Sequence, residues 1–177
     1  MKQATYFFFG CSLFIFTAFT IQNSINWKIS KGYQVKFSGT DAEGIFKKLS
    51  GDIQFDEKNI DSAHCNLTID VNSINTGNGM KNKHALSDNW FAAEKHPTIE
   101  FSSKLFSKSE NGYTVTGVLK IHGIEKEITI PFNFNNSTFT SNFSVNRMDY
   151  KIGTMKGIMK KVSNEIKLEI SIPVSNT

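Results

Sequence analysis

The chain has 177 residues, is 39% hydrophobic and carries a formal net charge of +4. That length is one ordinary domain with a short appendage, and the hydrophobic share excludes wholesale disorder. Three Pro and 12 Gly exclude collagen-like and proline-rich chains, and a mild basic excess, nearly all Lys with Arg147 as the only arginine, is too weak to argue for nucleic-acid binding.

From Met1 to Trp27 the only charged side chain is Lys2, followed by an apolar run from Tyr6 to Phe19. A basic start, an apolar run and small residues at Ala18 and Thr20 describe a secretory signal peptide over residues 1–20, with the cut near Ile21. The competing reading is an uncleaved anchor, for which residues 4–21 are only just long enough to span a bilayer. A lipoprotein cut at Cys11 is disfavoured, because the apolar stretch before it is short and Phe8 stands where Leu is usual. Two cysteines build no disulfide framework, and loss of Cys11 with the signal leaves Cys65 as the sole thiol.

After residue 27 the dominant period is two, which turns one face of each segment inward. Eight strands are expected, at 33–38, 49–56, 63–71, 98–106, 112–121, 126–134, 138–146 and 164–173. The inward stripes include Cys65-Leu67-Ile69 and Ile99-Phe101-Ser103-Leu105. The joints carry turn residues, as in Glu57-Lys58-Asn59, Glu110-Asn111-Gly112, His122-Gly123 and Asn135-Asn136-Ser137. A short helix is expected from Asp88 to Lys95, with Asp88 as N-cap and Trp90-Phe91 turned inward. Pro131 cannot donate to a ladder, so a bulge or an edge is expected there. Such a series of antiparallel strands closes into a barrel or stacks as a sandwich. Alternation alone does not separate a filled interior from a hollow one.

Reactive chemistry is sparse. His64, His84, His96 and His122 make no metal spacing, which leaves only convergence in space. No nucleophile elbow, phosphate loop or dinucleotide fingerprint is present. Cys65 shares its register with Leu67 and Ile69, so it reads as a buried, inert thiol. From Arg147 to Lys161 there are five cations and one anion, Asp149, interleaved with Met155, Ile158 and Met159. Either this stretch lies at a barrel mouth and meets an anionic head group or surface, or Arg147 pairs with a carboxylate and the lysines are merely solvated.

Four segments in register resemble the YceI family. They are Ser73-Ile74-Asn75-Thr76-Gly77-Asn78, then Asn89 to Phe101 with Trp90-Phe91-Ala92-Ala93 and His96-Pro97-Thr98, then Gly117 to Lys126, then Asn146-Arg147-Met148-Asp149-Tyr150. Trp27-Lys28-Ile29 and the stretch from Leu49 to Asp56 also fit, so the resemblance covers about residues 27–174. It departs at Lys81-Asn82-Lys83-His84-Ala85, where the family often has Arg-Asp, one residue, then His-Leu.

The resemblance implies an all-β protein: an extended eight-stranded antiparallel lipocalin-like β-barrel with a short helix, occupying 21–177 after the signal peptide. It implies an exported, periplasmic or secreted, non-enzymatic protein that holds a polyisoprenoid or similar long apolar lipid, with no catalytic residue, no cofactor and no metal. The alternatives are a filled barrel acting as a structural or interaction module, and an enzyme acting on an isoprenoid quinone. The lining expected from the stripes is Phe37, Ile53, Phe55, Leu67, Ile69, Phe101, Leu119, Ile121, Ile130, Phe132, Phe143, Val145, Leu168 and Ile170. Head-group or membrane contact is expected from Arg147, Lys156, Lys160 and Lys161. The expected partners are a polyisoprenoid or isoprenoid-quinone-like lipid, a transient anionic membrane surface and a second copy in a homodimer, with no nucleic acid.

Overall fold

The computed structural model describes residues 25–154 and 162–176. The expected signal peptide and the lysines Lys156, Lys160 and Lys161 lie outside these described residues. Alternation becomes strand along most of the chain: β1 (Asn26–Ile29), β2 (Gln34–Gly39), β3 (Ala42–Phe46), β4 (Leu49–Gln54), β5 (His64–Asp70), β6 (Ile74–Asn75), β7 (Thr98–Ser109), β8 (Gly112–Ile121), β9 (Ile124–Asn135), β10 (Thr138–Asn146) and β11 (Glu165–Asn176). All neighbouring strands are antiparallel. Eight of them close a barrel in the order β1-β4-β5-β7-β8-β9-β10-β11, and β11 returns to β1 at Trp27↔Asn176 and Ile29↔Val174. Where β1 leaves β11, β2 replaces it, and β3 and β6 extend that wall. Two hairpins turn on residues with positive φ, His122-Gly123 and Asn136-Ser137, whose backbone matches the twist of the flanking strands.

Every expected strand forms, and β1, β3 and β6 fall outside the expected set. β3 carries too small a stripe to announce itself. Its Gly44 is required because the Phe37 ring occupies the space of a Cβ, 2.7 Å away. The stripe through β7 breaks as well. A register shift between Ser103 and Leu105 inserts a residue, so Phe106 is buried and Leu105 turns out to 58% exposure, the reverse of the expected stripe. At the shift, β7 leaves its ladder with β5, and the Ser103 hydroxyl accepts the Cys65 backbone N–H at 2.8 Å in place of a ladder carbonyl.

The expected helix at Asp88–Lys95 is corrected. The α-helix is α1 (Gly79–Leu86), and residues 88–95 form turns. Asn78 is the cap, its side chain accepting from the Met80 and Lys81 N–H groups, while Asp88 pairs with Lys95 at 3.1 Å in solvent. Helix α1 buries no residue, so it has no apolar stripe to betray it. Asn82, at the position where the resemblance has Asp, accepts from the Thr76 N–H at 2.9 Å and the Thr76 hydroxyl at 2.8 Å. The amide oxygen thus ties down the Thr76-Gly77-Asn78 turn that the departure from the family pattern had put in question.

Candidate ligand cavity

The barrel is hollow. Its interior holds a cavity of about 170 Å³, and no polar atom of the described residues reaches the accessible wall. All the residues expected as lining face it except Phe37 and Phe55. Phe37 lies over Gly44 and against Phe46, with ring centroids 5.5 Å apart. Phe55, 1% exposed, is the centre of an aromatic plug rather than a wall residue. Its ring meets Phe106, Tyr113, Phe132, Phe134 and Phe139 at 5.2–6.0 Å between centroids, mostly edge to face. Trp27 covers the plug, donating its Nε1–H to the Phe55 carbonyl at 2.8 Å. This closes the barrel end where β4 and β7 finish and β8 and β10 begin.

Wall residues outside the expected lining set include Val35, Phe46, Leu49, Ile99, Phe106, Val115 and Ile172. Most sit on the same alternating stripes and were legible there. Phe106 was hidden by the bulge.

The opposite end is covered by the segment 71–97, anchored by the Val71 N–H bond to the Pro97 carbonyl and by Phe91 packed edge-on to Phe46. Arg147 stands here, 6% exposed, and the role expected for it is corrected. Its Nε donates to the Ser163 carbonyl at 3.0 Å. Nη1 donates to the carbonyls of Ile152 and Gly153 at 2.6 and 2.7 Å, and Nη2 to the Val162 carbonyl and the Asn164 Oδ1 at 3.2 and 3.1 Å. A guanidinium has five N–H donors, so none remains for a head group. Nor do the described residues give it the carboxylate partner of the rival reading: Asp149 lies 4.0 Å from Lys126 instead. Burial pulls the Arg147 pKa below its ordinary value, but arginine stays charged at any physiological pH. The residue ties residues 152–153, just after the 3-10 turn Arg147–Tyr150, to residues 162–164, just before β11.

Cys65 is the one ionisable group on the described wall. Burial pushes its pKa up to about 11, so it is a thiol and a poor nucleophile at neutral pH. His96 and His122 do converge, with ring centroids 5.0 Å apart, and the His122 Nδ1–H donates to the Tyr150 carbonyl at 3.0 Å. No set of three His, Cys, Asp or Glu side chains suited to a metal occurs among the described residues.

A closed antiparallel barrel with an apolar interior and no polar code is the architecture of a small-molecule binding barrel of the lipocalin-like kind. The YceI-like domain family model matches residues 19–174, and the chain belongs to that family. A UPF0312 protein of Vibrio parahaemolyticus is 36% identical over 113 residues, 63% of this chain and 57% of that protein. The match thus spans little more than half the length of the Vibrio relative. A UPF0312 protein of Yersinia enterocolitica is 30% identical over 139 residues, 73% of this chain and 71% of that protein. Among solved structures, Burkholderia cenocepacia BcnA superposes with a TM-score of 0.74 at 28% identity, over 81% of this chain and 96% of that one. A polyisoprenoid binding domain from Saccharophagus degradans superposes with a TM-score of 0.62 over 88% of this chain and all of that one, and at 14% identity the likeness is one of fold.

Proposed function

We propose that this protein is an exported, non-enzymatic carrier that shelters a polyisoprenoid or similar long apolar lipid. The observation that carries the reading is the cavity, hollow and apolar over its whole accessible wall. A flexible hydrocarbon needs such a lining and no polar code. Among the described residues the wall offers no acid, base or activated nucleophile, because its one ionisable group is a thiol with a pKa of about 11. That supports carriage over catalysis. The basic N-terminal start and apolar run support export with a cut near Ile21. The lysines Lys156, Lys160 and Lys161 then serve an anionic surface without help from Arg147.

Native mass spectrometry of protein recovered from its own host tests the reading. A co-purifying apolar lipid that denaturation releases is expected. Protein recovered entirely empty, and refusing geranylgeraniol in solution, would sink it.

A further inference from the structure

The cavity is smaller than the proposed ligand. About 170 Å³ slightly exceeds the roughly 150 Å³ engineered cavity that stays dry and binds benzene. Only the end of a long chain fits inside, so the remainder must leave the barrel, and among the described residues both ends carry packed cover. The aromatic plug around Phe55 closes one end, and the segment 71–97 with the Arg147 cluster covers the other.

The wall has a gap in its ladder between β9 and β10. Strand β8 pairs with β9 from Ile121↔Ile124 to Tyr113↔Phe132, and β10 pairs with β11 along its whole length. Between β9 and β10 the ladder has only Thr138↔Asn135, Phe139↔Phe134 and Thr140↔Asn133. It ends just before Pro131, which has no N–H to continue it. The Pro131 carbonyl is taken instead by the Ser141 hydroxyl at 2.6 Å. Beyond that point β9 and β10 have no ladder pair. At the rim they are strapped again by Lys126 to Asp149 at 4.0 Å and by His122 to the Tyr150 carbonyl.

The side chains along this window are mostly apolar and only partly buried. Ile130 on β9 and Ser141, Phe143 and Val145 on β10 line the cavity, yet all four are half-exposed, as is Ile128 beside them. Elsewhere on the wall Ile53, Cys65, Ile99 and Phe101 are buried, while Leu67, Ile69, Leu168 and Ile170 are half-buried on strands paired on both sides.

We infer that the window between β9 and β10, bounded by Pro131–Ser141 below and Lys126–Asp149 above, is the lateral portal through which an apolar chain enters and from which its excess length emerges. The inference rests on the proposed function and adds the route. Ile128, Phe143 and Val145 cover the emerging chain, so affinity rises with chain length well beyond what the cavity holds.

The test bridges the window. Thr129 and Ser144 are outward-facing and would oppose each other if the register of Thr140↔Asn133 continued. The full chain with Cys11→Ser receives Thr129→Cys and Ser144→Cys, joined by a cleavable short bifunctional maleimide. The control joins Ser144→Cys to Lys167→Cys, across a ladder that is already paired. The probe is N-phenyl-1-naphthylamine, whose fluorescence rises in apolar surroundings, displaced by geranylgeraniol. Bridging the window is expected to slow uptake and release at least tenfold, with recovery on cleavage, and the control bridge to leave both unchanged. Ile128→Trp, which fills the window without entering the cavity wall, is expected to slow uptake without any bridge and serves if the cysteine pair does not fold. Unchanged rates in the bridged protein and in Ile128→Trp overturn the portal while leaving the carrier reading standing. An unbridged protein that binds neither probe nor geranylgeraniol overturns both.

Discussion

The guanidinium carbon of Arg147 lies 5.7 Å from the centroid of the Trp90 ring. The indole thus stacks over a cation whose N–H groups already point at five oxygen acceptors. Gly153 permits the approach, since a Cβ there would sit 2.8 Å from the indole. Charge alone does not account for the site; the planar fork does.

Arg147→Lys is therefore expected to cost nearly as much as Arg147→Met. Lysine keeps the charge but offers three donors on a compact head that cannot reach both arms. Each variant should lose about 2–4 kcal/mol, a fall of roughly 5–15 °C in a thermal melt. A lysine variant as stable as the parent would show that the site needs only a positive charge.

Cys65 sets an alkaline limit on stability. Its pKa rises from 9.0 to about 11 on burial, so between those values the folded chain holds a proton that the unfolded chain releases. The stabilisation is complete below pH 9 and is lost as pH climbs toward 11, at roughly 1.4 kcal/mol per pH unit across that window. Burial raises Tyr113 and Tyr150 as well, which adds to the same fall. Comparing urea midpoints of the parent and Cys65→Val across pH 8–11 isolates the thiol. The variant should show the shallower decline.

Leu119 tests the cavity from its wall. It is 8% exposed and faces the hollow. Leu119→Trp fills space without burying a charge, at a cost of about 1–3 kcal/mol. It should lower occupancy by N-phenyl-1-naphthylamine at least fivefold in a protein whose circular dichroism is unchanged. Leu119→Lys should abolish binding too, but its buried unpaired charge calls for the same folding control. Full occupancy in a folded Leu119→Trp protein would move the ligand elsewhere.

The lysine-rich stretch should act through salt-sensitive attraction. Changing Lys156, Lys160 and Lys161 together to Gln is expected to reduce binding to phosphatidylglycerol vesicles at least tenfold at low salt, since each basic residue near an anionic surface contributes about 1 kcal/mol. Raising the parent's ionic strength should mimic the loss. Sedimentation with vesicles reads both. Binding indifferent to salt and to the triple change would leave the lysines as solvated charge.

What the sequence disclosed follows from what a period can encode. Cys65, Leu67 and Ile69 alternate without interruption, and all three face the cavity. Leu105 and Phe106 are adjacent apolar residues, and only the bulge decides which turns inward; composition is silent on where an extra residue is inserted. Helix α1 escaped notice because it is held by the Asn78 cap and the Asn82 contacts rather than by a buried face. Arg147 reads as a ligand in the sequence because four of its five acceptors are backbone carbonyls, which no side-chain pattern records. Pro131 did signal a broken ladder, but whether it made a bulge or an edge depended on a partner strand elsewhere in the chain.

The closure of β1 onto β11 has a kinetic meaning. Trp27 pairs with Asn176, so the seam that completes the cylinder joins the first described strand to the last. Loop closure over such a span is entropically expensive and belongs late in assembly, which makes a fold of this kind slow. Until β11 arrives, β10 and β2 both present bare edges that invite pairing with other chains. A polypeptide emerging through a membrane amino end first would therefore stay unsealed, and in need of protection from aggregation, until its final strand had cleared the pore.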